Sequence, residues 1–240
     1  MPGSAAQFQD VYRTLLDDRT LHDQVAPSDF SKEDALLLLV ALLSDLLYLR
    51  RSLGQVVHLA ASIGKQPTQY NPFGAFSPHM ELNHMSTILS RAMDKWHRWF
   101  HASTSPEIMA FYYYIRMHLS FNQILTLPQA AGYRGGDPAP GSGNRPSIPD
   151  KTVGEAWRVL DNAAGWSQRA SADSLCPAWL PIAVFHAALV VWAHYARVEY
   201  GSARMLLAFK MELDGMTWPC CVEMAATLGR LIAASTSFQK

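Results

Sequence analysis

Thr217-Trp218-Pro219-Cys220-Cys221-Val222-Glu223-Met224-Ala225-Ala226-Thr227-Leu228-Gly229-Arg230-Leu231 is the stretch whose reading decides the fold. Thr217 is placed to cap a helix, and Pro219 fits its first turn, where a missing N–H costs nothing. Cys221, Met224, Ala225, Leu228 and Leu231 then recur at the spacing of one helical face. The same periodicity dominates the rest of the chain, and no stretch sustains the alternation of a half-buried strand.

Working outward, a helix is expected over Ala5 to Arg19, with Phe8, Val11, Tyr12, Leu15 and Leu16 on one face. Ser31-Lys32-Glu33-Asp34 opens the next, with Ser31 as cap and acids in the first turn. It runs to about Leu53 and stops near Gly54, and its leucines on nearly every face imply a central helix. Lys65 to Pro78 is a loop by its Pro and Gly content. From Glu81 to Phe100, Met85, Ile88, Leu89, Ala92, Met93, Trp96 and Phe100 form a buried stripe, and Arg91, Lys95 and Arg98 a solvated one. Ser105-Pro106-Glu107 starts a helix that continues to Leu127, where Pro128 ends it. Further helices are expected over Val153 to Arg169, Leu180 to Val198 and Ser202 to Leu213. The expected fold is all-α, a compact bundle of roughly eight to ten helices. One low-complexity Pro/Gly-rich stretch, residues 134–150, is read as a loop within a single helical domain spanning 1–240.

Composition narrows the function classes. Hydrophobic residues make up 49% and charged residues 17%, which suits a globule with a large core and not a disordered activator. Lys plus Arg and Asp plus Glu number 20 each, so the chain offers no basic footprint for nucleic acid. The apolar runs Ala35 to Leu43 and Ala178 to Ala193 fall short of the about 18–20 residues a membrane span requires. Cys176, Cys220 and Cys221 have no zinc-finger spacing and suit a reducing compartment, nucleus or cytoplasm.

The terminal Trp-Pro-Cys-Cys-Val-Glu-Met-Ala helix resembles the end of the regulatory domain (the middle homology region) of fungal zinc-finger transcription factors. Ala178 to Ala193 is similar to the core helix before that end, Asp34 to Ser52 to an earlier segment, and Met93 to Trp99 to a Trp-bearing helix. Leu125 to Gly132 is similar to a stretch that leads into a loop, and the segments keep the family's order over about residues 30 to 233. The resemblance covers the later part of that domain and leaves out the zinc module, since six cysteines cannot be found among three. It implies a role in transcriptional control through a protein partner, self-association or a small-molecule effector, either as a domain without its own DNA reader or as a chain truncated from a longer factor. The alternative is a stand-alone small-molecule binder or enzyme on the same scaffold.

Chemistry-bearing constellations are sparse, and no catalytic group, metal site or cofactor is expected. Trp96, Trp99, His186 and Trp192 are the candidates to wall a ligand pocket, together with Trp179 and Phe111 to Tyr114, though such aromatics also make ordinary core. His97 and His101 have a metal-compatible spacing with His79 and His84 upstream, yet no third ligand is selected, so they are read as surface or capping groups. Asp17-Asp18 with Asp23 reads as a solvated helix end, and Ser142 lacks a nucleophile's strand–turn–helix setting. Cys220 and Cys221 sit near a helix N-terminus, where the dipole favours thiolate; the plainer reading packs Cys221 in the core.

Overall fold

The computed structural model describes residues 5–17, 30–63, 78–134, 147–164, 166, 176–195 and 202–237. Among them every regular element is helical: α1 (Ala5–Leu16), α2 (Lys32–Ile63), α3 (Pro78–Phe100), α4 (Pro106–Ser120), a 3₁₀ turn (Ile124–Thr126), α5 (Leu127–Ala130), α6 (Asp150–Ala163), α7 (Trp179–Tyr195), α8 (Ser202–Asp214) and α9 (Pro219–Ser237). No helix among the described residues is long and apolar enough to cross a membrane. The chain divides into two compact units, Met1–Thr104 and Ser105–Lys240.

In the first unit, α3 packs against α1 and α2. The expected start of α2 is realised as a reciprocal capping box. The Asp34 N–H donates to Ser31 Oγ at 3.2 Å, while the Ser31 N–H and hydroxyl donate to the Asp34 carboxylate at 3.0 and 2.9 Å. Ala35, Leu38, Leu39, Leu42 and Leu46 then bury one face. Across it, the Trp96 indole N–H donates to the Ala35 carbonyl at 2.9 Å, which fixes the register of α3 on α2. The Tyr12 hydroxyl donates to Asp45 at 2.6 Å and links α1 to α2.

Two expectations are corrected here. Gly54 does not end α2, which continues to Ile63; a single glycine costs only about 1 kcal/mol, and the apolar, helix-compatible sequence beyond it outweighs that. Lys95 is not solvated. It is 3% exposed, and its ammonium donates to the carbonyls of Thr14 (3.0 Å) and Asp17 at the C-terminal end of α1. A cation there satisfies carbonyls the helix leaves without N–H partners and complements its dipole.

In the second unit, α7 is the hub, packed against α4, α5, α6, α8 and α9. Its side chains from Leu180 to Val191 are buried on all sides apart from Ile182, as an all-round apolar helix requires. The helix expected from Ile108 to Leu127 is in fact interrupted. α4 stops at Ser120, whose hydroxyl donates to the carbonyls of Arg116 and Met117, and Phe121 is extended and buried. Pro128 therefore lies in the first turn of α5 and terminates nothing. α5 closes on Gly132 (φ 73°), with Tyr133 N–H on the Pro128 carbonyl and Gly132 N–H on that of Gln129.

Residues 135–146 of the expected loop lie outside the described residues. Its end is anchored, because Ile148 is buried and its carbonyl lies 3.2 Å from His194 Nδ1. α6 ends at Ala163, as Ala164 turns extended at ψ 131°, short of the expected Arg169. Ser105 stands at the cap position of α4 without a side-chain capping bond. Pro219 opens α9, which leaves Trp218, and not Thr217, at the position before the helix.

Replacing Lys95 with Met tests the buried cation. Losing the charge-assisted bonds to two carbonyls at the end of α1 is expected to lower stability by about 2 kcal/mol in chemical denaturation, whereas a solvated lysine would leave it unchanged.

Candidate functional site

The middle of α7 is where sequence pattern and polar chemistry meet. An almost wholly apolar helix carries His186 inward, and α4, rich in aromatics, supplies what it faces. Tyr114 Oη and His186 Nδ1 lie 3.0 Å apart, both groups buried. His118, one turn beyond Tyr114, meets the Tyr114 ring edge-on at 4.7 Å and the His186 ring at 6.4 Å. Phe111 completes the wall by packing on Trp179 at 4.8 Å.

Burial sets the electrostatics of the cluster. It pushes the His186 imidazole down to about 4 from 6.5 and holds the Tyr114 phenol far above its ordinary range. At neutral pH the pair is thus a neutral imidazole sharing a hydrogen bond with an un-ionised phenol. Each satisfies a polar group the other would otherwise leave buried and unpaired.

The pocket candidates separate between the units. Trp96 and Trp99 belong to Met1–Thr104, while His186, Trp192, Trp179 and Tyr114 belong to Ser105–Lys240. Trp96 is fully buried and committed to the Ala35 carbonyl. Trp99 packs edge-on against Phe100, and Trp192 is half-buried on α7. His97 and His101 stack at 4.8 Å, with His101 Nδ1 2.9 Å from the His97 carbonyl, and His84 is exposed. Among the described residues no group of three His, Cys, Asp or Glu is arranged to hold a metal ion. Asp18, Asp23, Ser142 and the His79 side chain lie outside the described residues.

Cys221 follows the core reading and not the helix-dipole one. Burial pushes both Cys176 and Cys221 up to about 11, Cys221 despite its place in the first turn of α9. The Trp218 indole N–H donates to the Cys176 carbonyl at 2.7 Å and ties that segment to the start of α9.

Two features arise from tertiary packing. Glu155 on α6 is buried, with Arg116 Nε 3.6 Å and Arg158 3.7 Å from its oxygens, which joins α4 to α6 by a three-membered ionic cluster. Nothing in the spacing of these residues announces it, since Arg116 and Glu155 come from different helices. The second is the outer face of α2. Leu37 is 53% exposed, Val40 41% and Tyr48 71%, so α2 is not the surrounded helix its leucines implied. Its inner leucines meet α3, while its outer ones recur at heptad spacing, a signal that was present in the sequence.

No family model, curated protein or solved structure matches the chain.

The His186 cluster carries a pH signature. The folded value of about 4 lies below the unfolded 6.5, so the unfolded chain takes the proton first on acidification. Stability contributed by neutral His186 is complete above pH 6.5 and is lost as pH falls toward 4, a total on the order of 3 kcal/mol. Urea titrations near neutrality and at about pH 4.5 are expected to show wild type losing about 2–3 kcal/mol more than His186→Leu between the two conditions. Equal losses would mean that His186 is not held neutral.

Proposed function

We propose that this chain is a regulatory-type helical domain acting in transcriptional control in the nucleus, through protein contacts and not by reading DNA itself. The observation that carries the reading is the outer face of α2, where Leu37, Val40 and Tyr48 stand exposed on a helix whose opposite face is fully packed. Large apolar side chains aligned on a solvent-facing stripe are the physical mark of a helix-recognition surface. The charge balance agrees, because 20 cations against 20 anions gives no net attraction to a phosphate backbone. The resemblance of the ordered segments to the fungal regulatory domain supplies the transcriptional context.

The interior favours this over the small-molecule alternative. His186 and Tyr114 are committed to each other, and Trp96 to the Ala35 carbonyl. The most reactive-looking groups therefore serve packing.

Tethering the full chain to an unrelated DNA-binding module upstream of a reporter in fungal cells tests the proposal. Reporter output should change relative to the module alone, and a double Leu37→Gln, Tyr48→Gln variant of equal abundance should remove most of that change. Output indistinguishable from the module alone would overturn the transcriptional reading. An effect untouched by the variant would overturn the assignment to α2.

A further inference from the structure

We infer that the outer face of α2 is a self-complementary seam on which a second copy of this chain docks, antiparallel, about a two-fold axis opposite Leu42. The inference rests on the reading of α2 as an interaction surface and names its occupant. Glu33, Leu37, Val40, Ser44, Leu47 and Arg51 follow one another at alternating steps of four and three residues. That is the a/d pattern of a two-helix seam, and at about 100° per residue it confines all of them to one narrow face. Glu33, Leu37, Val40, Ser44 and Arg51 are exposed and Leu47 is half-buried. Inward-facing Leu38, Leu39, Leu42 and Leu46 are buried on the other side.

The pattern is symmetric in a way that selects the partner. When an identical helix is laid antiparallel, Leu37 faces Leu47 of the other copy and Val40 faces Ser44. Glu33 faces Arg51 at both ends of the seam. Each layer is then apolar or oppositely charged, and each contact occurs twice, as a two-fold interface demands. A parallel arrangement would instead set Glu33 against Glu33 and Arg51 against Arg51, which repels. Ser44 does not spoil the seam, because its hydroxyl donates to the Val40 carbonyl of its own helix at 2.8 Å and brings no unpaired donor into the contact. Tyr48 flanks the seam, 71% exposed, and covers its edge. The formal net charge of zero opposes no approach of like molecules.

From Glu33 to Arg51 the seam spans about 27 Å. It is short beside the roughly 1,200–2,000 Å² that stable complexes bury, so the dimer is reversible and concentration-dependent.

Sedimentation equilibrium of the full chain at low salt, from about 1 to about 200 µM, reads this directly. The mass should rise from 26.7 kDa toward twice that value with concentration. Leu37→Gln should weaken association at least about tenfold. Glu33→Arg and Arg51→Glu, each placing like charges at both ends, should each weaken it several-fold, and the double variant should restore wild-type association. These side chains are exposed, so the variants should keep wild-type helicity and report that folding is intact, with Glu33→Arg alone lowering thermal stability slightly because it puts a cation in the first turn of α2. A chain monomeric throughout, a dimer indifferent to Leu37→Gln, or a charge exchange that fails to restore association each overturns the antiparallel dimer. A monomer whose tethered reporter effect still depends on Leu37 and Tyr48 overturns the dimer alone and leaves α2 as a surface for a different protein. Dimerisation without any reporter effect leaves the seam standing and removes the transcriptional reading.

Discussion

An α-helix that is apolar on every face has to be enclosed, and α7 imposes that on the second unit. A run such as Val184-Phe185-His186-Ala187-Ala188-Leu189-Val190-Val191 leaves no side that water could occupy without loss. α4, α5, α6, α8 and α9 are accordingly all in contact with it. The cost of that arrangement falls on His186, which is carried into the interior with the rest. Tyr114 answers it from α4, and the two together show how a polar pair persists in a dry environment, neutral and mutually bonded.

α2 poses the same demand in the first unit and receives a different answer. Its inner face is enclosed by α3, with Trp96 bonded to the Ala35 carbonyl as the register pin. The helix is also held at its start by the Ser31–Asp34 box, and α1 is joined to α3 by the buried Lys95 ammonium. Leu37, Val40 and Tyr48 are left outside. The contrast between α7 and α2 is one of neighbours and of composition together, because α2 carries Glu33, Ser44 and Arg51 among its outer residues and α7 carries no Asp, Glu, Lys or Arg. An exposed apolar stripe is left where the apolar residues of a helix outnumber the neighbours that enclose them.

Much of the architecture was legible one segment at a time. Helical spacing identified every α-helix among the described residues except the short α5, and Ser31, Pro106 and Pro219 marked starts close to where they fall, because capping and first-turn proline act within a few residues. The inward stripe of α3 and the core character of α7 followed from periodicity alone. The errors share a physical origin. Lys95 reads as solvated in the sequence because it shares a stripe with the cationic Arg91 and Arg98, and the arrival of the α1 C-terminus is what makes a buried ammonium favourable. α4 reads as longer than it is because its apolar spacing continues past Ser120, and the break there goes with the burial of an extended Phe121 in the folded unit.

The site divides along the same line. The sequence by itself determined that the chain is helical, that His186 lies within an apolar helix, and that Glu33 to Arg51 carries a heptad spacing. These are properties of residue type and of a helix's 3.6-residue turn, and they need no knowledge of neighbours. Only the tertiary structure decided that His186 meets Tyr114, that Glu155 is shared by Arg116 and Arg158, and that the outer stripe of α2 faces water. Those outcomes depend on which helix lies beside which, and packing between residues distant in the chain is not encoded in the spacing of any one segment.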